Sequence, residues 1–141
     1  MDIYTLMATA SLALQITVLF LLFGSVWLKT QKRFRQHGIT MLIAVVIHTI
    51  TISAIMIPVF ALIVANSSPT AVSTLASVHG VLGIAAEVLA VWIVVSWRLR
   101  TSIRYCAPKK KTMLLTLILW VAALVLGVLL YLYFYTPLLS L

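Results

Sequence analysis

The stretch Lys29-Thr30-Gln31-Lys32-Arg33-Phe34-Arg35 decides how this chain folds. It holds four of the ten Lys and Arg residues, and the other six (Arg98, Arg100, Arg104, Lys109, Lys110 and Lys111) fall in one further stretch. Outward from both, the chain is made of long apolar runs whose only acidic residues are Asp2 and Glu87. A cation at the centre of a bilayer costs about 3 kcal/mol or more. Basic loops also stay on the cytoplasmic side. Charge segregated in this way predicts a multi-pass protein of the cell membrane.

Composition points the same way. Of 141 residues, 64% are hydrophobic and 9% are charged, which excludes an ordinary soluble domain. The net charge of +8 comes from these membrane-flanking stretches. There it sets orientation and meets anionic lipid heads, so it does not point to nucleic acid. The single cysteine, Cys106, provides no CxxC or CxxCH motif, which excludes covalent c-type haem attachment.

A helix needs about 20 apolar residues to cross the hydrocarbon core. Four segments qualify, at about 4–28, 38–65, 75–97 and 112–135. The first lacks a basic leader and a small-residue cleavage site, so it reads as an uncleaved span. The expected fold is a single all-α integral membrane domain over residues 1–141. Its architecture is an antiparallel four-helix transmembrane bundle with short links. Both basic loops are expected in the cytoplasm, with the N- and C-termini outside. Trp27 and Trp97 fit the inner boundary, and Tyr131, Tyr133, Phe134 and Tyr135 fit the outer one. Asn66-Ser67-Ser68 reads as an outer turn, with Pro69 opening the third helix.

Ionisable groups within a span are costly, and each is a functional hypothesis. Span two carries His37 at its cytoplasmic mouth and His48 near mid-depth. Eleven residues apart, they are only about 20° out of phase and share one face, roughly 16 Å apart along the axis. Pro58 is expected to kink the same helix and free the carbonyl of Ala54. Span three carries His79 in its outer part and Glu87 near mid-depth. Gly83, Ala86 and Ala90 follow His79 on one face, where they either admit a neighbouring helix or leave room for a flat cofactor.

Folding spans two and three as a hairpin centred near Ser68 puts His48 level with Glu87, with Gln15 of span one at similar depth. His79 is expected about 10 Å nearer the outside. Two readings follow. In one, His48, Glu87 and Gln15 satisfy one another by hydrogen bonds. In the other, the histidines hold haem b between facing helices. His48 with His79 is then the expected axial pair, provided tilt or the Pro58 kink closes the depth gap. His37 is a further ligand or a propionate partner, and Glu87 and Gln15 act as hydrogen-bonding neighbours of the site. A divalent metal site lacks suitable spacing, and no serine-nucleophile or phosphate-loop motif is present.

The run Lys32-Arg33-Phe34-Arg35-Gln36-His37-Gly38-Ile39-Thr40-Met41 resembles a pattern of the small YozB-like membrane proteins. In that pattern a basic loop leads into a histidine, with a methionine a few residues on. The histidine early in span three, and the basic loop leading into Lys111–Tyr135, are also similar. The resemblance covers spans two to four and implies a four-helix membrane protein. It also implies a link to haem–copper oxidase maturation or to haem in respiratory membranes. It carries over to His37, Met41 and His79.

The leading expectation is therefore a small b-type haem protein. It would be an electron carrier or a haem-bearing accessory subunit of a respiratory complex, with lipid and other membrane subunits, or further copies of itself, as partners. The alternative is a cofactor-free structural or assembly subunit. A proton-coupled carrier centred on Glu87 ranks behind both. At most the activity is electron transfer.

Overall fold

The computed structural model describes residues 3–66, 71–97 and 107–135. Every described element is helical. Helix α1 spans Ile3–Thr30, α2 spans Phe34–Thr51, and a π-helical turn, Ile52–Met56, leads directly into α3, Ile57–Asn66. Helix α4 spans Ala71–Trp97, and a 3-10 turn, Ala107–Lys109, opens α5, Lys110–Tyr135. Four segments are long and apolar enough to cross a membrane: Thr5–Thr30, Phe34–Leu62, Ser73–Trp97 and Lys110–Tyr135. The second begins before the expected Gly38, because the helix runs back through His37 to Phe34.

Helix α1 packs along α2, and α4 along α5. Contacts of α1 with α5 and of α2 with α4 close the two hairpins into a bundle. The Thr9 hydroxyl lies 3.0 Å from the Tyr131 hydroxyl, tying the start of α1 to the end of α5. The two helices therefore run antiparallel, and the 31–33 turn shares one end of the bundle with Lys109–Lys111.

Each helix is apolar all round, so an amphipathic stripe cannot choose its inner face. Side-chain size separates inside from outside. Ala44, Ala86 and Ala90 are fully buried beside Val18, Leu22, Val45 and Trp120. Phe20, Val81, Val88 and Val95 point outward. Small residues at the seams let backbones approach, which is how helices associate where lipid is as apolar as leucine.

Two local features shape the rods. The α1–α2 turn is closed by Lys32, which takes a left-handed φ of 59°. Arg33 N–H donates to the Leu28 carbonyl and Lys32 N–H to the Lys29 carbonyl, each at 3.0 Å. This paired closure satisfies the last carbonyls of α1, in the manner usual where a helix ends on a left-handed residue. The π-helical turn lies just before Pro58, where Ile57 N–H reaches back five residues to the Ile52 carbonyl. Proline offers no N–H and crowds the carbonyl four residues earlier, Ala54. The interruption expected there takes the form of this wide turn.

Some expectations fall on residues 1–2, 67–70, 98–106 and 136–141, outside those described. They concern Asp2, the turn at Ser67 and Ser68, Pro69, Cys106 and the arginines at 98, 100 and 104.

A candidate ligand cavity between His48 and His79

Helices α2 and α4 meet where the hairpin register brings His48 to Glu87. The imidazole is buried, and its Nδ1 lies 2.6 Å from Glu87 Oε2. The Thr49 hydroxyl, also within reach of the Val45 carbonyl, donates to the other carboxylate oxygen. Both carboxylate oxygens and the His48 Nδ1 thereby have partners, which lowers the cost of holding an ionisable pair at this seam. The indole of Trp120 on α5 meets the His48 ring edge-on, with centroids 4.5 Å apart.

His79 is anchored in the same manner from the opposite wall. Its Nδ1–H donates to the Ala123 carbonyl of α5 at 2.8 Å. A carbonyl only accepts, so the proton must sit on Nδ1, and a neutral ring then presents Nε2 as a lone pair. Gly127 makes room for this ring, since a Cβ there would lie 3.0 Å from its Cε1.

Both histidines line one half-enclosed cavity of about 340 Å³. Gln15, Trp120, Gly80, Gly83 and Met56 share its wall, and along α5 it extends from Trp120 to Tyr135. Neither Nε2 atom has a hydrogen-bond partner among the described residues. Their anchoring contacts on α5, Trp120 and Ala123, are three residues apart, about 4.5 Å of helix rise. The His79 ring also lies against Gly127, seven residues and about 10 Å of helix rise beyond Trp120, so the two histidines line different levels of the one cavity. The small-residue face of α4 divides between its two possible uses. Ala86 and Ala90 pack into the core, whereas a Cβ on Gly83 would meet nothing within 4 Å.

His37 stands apart, near the 31–33 turn. Its Nδ1 lies 2.9 Å from the Ser25 carbonyl and 2.6 Å from Ser25 Oγ, and the Ser25 hydroxyl donates back to the His37 carbonyl. The ring is 2% exposed and sits 5.9 Å from the ring of Trp97. Beside it, Gly38 lies against the Trp97 face. His37 locks α1, α2 and α4 together and does not line the cavity. Met41 packs against the core cluster and does not line it either.

Gln15 does line the cavity, but it makes no hydrogen bond to His48 or Glu87, and its buried Nε2 is unpaired among the described residues. Glu87 also faces the bundle exterior, where with Thr49, Trp92 and Ser96 it lines a shallow groove. Lys109 closes the end of that groove, bonding Ser96 and lying 4.8 Å over the Trp92 ring. Among the described residues no group of three or more His, Cys, Asp or Glu side chains is placed to hold a bare metal ion. Sequence reasoning overlooked Trp120 and Thr49. A tryptophan far from either end of its span was the available signal, because membrane tryptophans concentrate at the interfaces.

The chain matches no protein-family model, no curated protein and no solved structure.

Proposed function

We propose that this chain is a small integral membrane protein of the multi-pass class that binds b-type haem in the cavity between His48 and His79. It serves as a one-electron carrier, or as a haem-bearing accessory subunit of a respiratory membrane complex. One observation carries this reading. Two imidazoles, His48 buried and His79 half-buried, line one cavity, each fixed through Nδ1 and each with Nε2 uncommitted among the described residues. Metal-ligating histidines typically donate their other ring N–H to a carboxylate or a backbone carbonyl, which orients the ring and raises its basicity. Glu87 does this for His48, and Ala123 for His79.

The remaining wall fits a flat apolar group. Gly83 leaves open space on α4, and Met56 and Leu124 supply apolar contact. Haem bound here would supply reversible one-electron chemistry. The protein's own contribution is ligand identity, orientation and exclusion of water. The basic 31–33 turn and Lys109–Lys111, which share one end of the bundle, support an orientation with that end in the cytoplasm and both termini outside.

The decisive measurement is a reduced-minus-oxidised visible spectrum of detergent-purified protein, with haem quantified per chain. A b-type spectrum that disappears in His48→Ala and His79→Ala is expected. Colourless protein from haem-replete cells would overturn the proposal.

One observation favours a second reading as a structural or assembly subunit. Phe20, Phe23 and Trp27 form an outward aromatic stripe on α1, 72%, 54% and 60% exposed. Such a stripe suits another membrane subunit as well as lipid. Co-purification with a defined complex after mild solubilisation tests it, and a solitary stable monomer would count against it.

A further inference from the structure

The same cavity carries two polar groups that axial ligation does not use. Gln15 on α1 is 7% exposed and Trp120 on α5 is 3% exposed, and both line the cavity. Gln15 Nε2 and Trp120 Nε1 are buried without a hydrogen-bond partner among the described residues. A third such atom, Trp97 Nε1, belongs to a residue outside the cavity wall. A buried donor left unpaired in an apolar interior is costly, and such groups are rare in folded proteins. Both residues line one cavity, although the two donor atoms are themselves covered, so a ligand oxygen there is the partner that a turn of either side chain would reach.

We infer that Gln15 and Trp120 form an oxygen-acceptor subsite of the cavity, to which the bound ligand presents a carboxylate or carbonyl oxygen. The inference deepens the haem reading, because it assigns two hydrogen-bond donors to the ligand's polar edge. The chemistry is shared by two sources. A haem propionate offers a carboxylate, and a prenylated quinone offers a ring carbonyl. The cavity runs about 22 Å along α5 from Trp120 to Tyr135, a length that suits a prenylated tail as well as a haem edge. Its lining is apolar apart from the histidines, the two donors, two serines and the tyrosines at the far end. The donor set is complementary as well. N–H groups from Gln15 and Trp120 meet acceptors, while the histidine lone pairs meet iron or a quinol hydroxyl.

The test uses the full chain in detergent with three probes: haem b, its dimethyl ester, in which both propionates are masked, and a benzoquinone with a ten-carbon tail. Affinities are read by equilibrium dialysis and, for the haems, by Soret absorbance. The variants are Gln15→Met, which keeps side-chain volume, and Trp120→Phe, which keeps an aromatic ring. Loss of a hydrogen bond to a charged or carbonyl oxygen predicts roughly tenfold weaker binding in each variant.

If haem b binds about tenfold tighter than its ester, and both variants erase that preference, the subsite holds a propionate. If haem fails to bind, but the quinone does and weakens in both variants, the subsite holds a quinone carbonyl and the haem proposal falls. If haem binds with unchanged affinity and unchanged preference over its ester in both variants, and the quinone does not bind, the subsite is refuted while the haem reading stands. If no probe binds, both are refuted. Should one variant fail to fold, judged by thermal unfolding, the other still decides, since each removes one donor independently.

Discussion

Glu87 Oε2 lies 2.6 Å from His48 Nδ1, across the seam between α2 and α4. The carboxylate holds the ring in one orientation and leaves Nε2 facing the cavity. Removing it leaves a buried imidazole without its partner. Glu87→Ala should cost about 2 kcal/mol of stability, whereas Glu87→Gln, which keeps an acceptor, should cost less. Thermal unfolding in detergent checks this order. Haem retention in Glu87→Ala should fall between about tenfold and a hundredfold, as for other outer partners of ligating histidines.

A Cβ on Gly38 would stand 1.6 Å from the ring of Trp97. No rotamer of a buried indole absorbs that overlap, because Trp97 is 5% exposed and hemmed by the His37 ring. Gly38→Ala should therefore destabilise the bundle by about 1–3 kcal/mol. Replacing Trp97 by leucine in the same chain should recover much of the loss. Equal stability of Gly38→Ala and the parent would contradict the packing described.

His37 and His48 share a helix and should respond differently to substitution. The His37 ring is bonded to Ser25, so Ser25→Ala and His37→Leu should each lower stability, by about 1–2 kcal/mol, through a lost interhelical hydrogen bond. Neither should alter the haem spectrum or its content per folded chain. A changed spectrum in His37→Leu would place His37 at the iron and require a different ligand pair.

How much of this was legible in the residues follows from what each signal measures. Charge segregation around Lys29–Arg35 and Arg98–Lys111 speaks directly to membrane spans, so the four long helices were readable, though α2 begins at Phe34 and α4 at Ala71, four residues before the expected starts. Counting outward from the 67–70 link gives the register of α2 against α4, which made the meeting of His48 and Glu87 readable too. The facing of α1 and α5 was not. Helices apolar on every side carry no stripe, so nothing marked Ser25 as the partner of His37 or Trp120 as the neighbour of His48. Axial counting set His79 about 10 Å nearer the outside than His48 and offered the pair as ligands only if tilt or the Pro58 kink closed that gap. It took no account of side-chain reach or of the Ala123 carbonyl that aims the ring.

Orientation is open to a direct chemical test. If basic loops face the cytoplasm, a cysteine replacing Gln31, in a chain whose Cys106 is changed to serine, should resist a membrane-impermeant maleimide in intact cells. It should react after permeabilisation. A cysteine replacing Ser67, at the opposite end of the hairpin, should label without permeabilisation. The reverse pattern would invert the topology.

Gly83 separates the fold from the ligand. Its missing side chain faces open space, so alanine there clashes with nothing and gains helix propensity. Gly83→Ala should leave stability unchanged or raise it by up to about 1 kcal/mol. Gly83→Phe projects a ring into the cavity. It should preserve the helical bundle, because the volume it fills holds no protein atoms, yet it should abolish haem loading. Circular dichroism and the haem-to-protein ratio, measured on the same preparation, give the two answers separately. Full haem loading in Gly83→Phe would mean that the ligand lies elsewhere. A normal fold with no haem would tie the cavity between His48 and His79 to its ligand without disturbing either histidine.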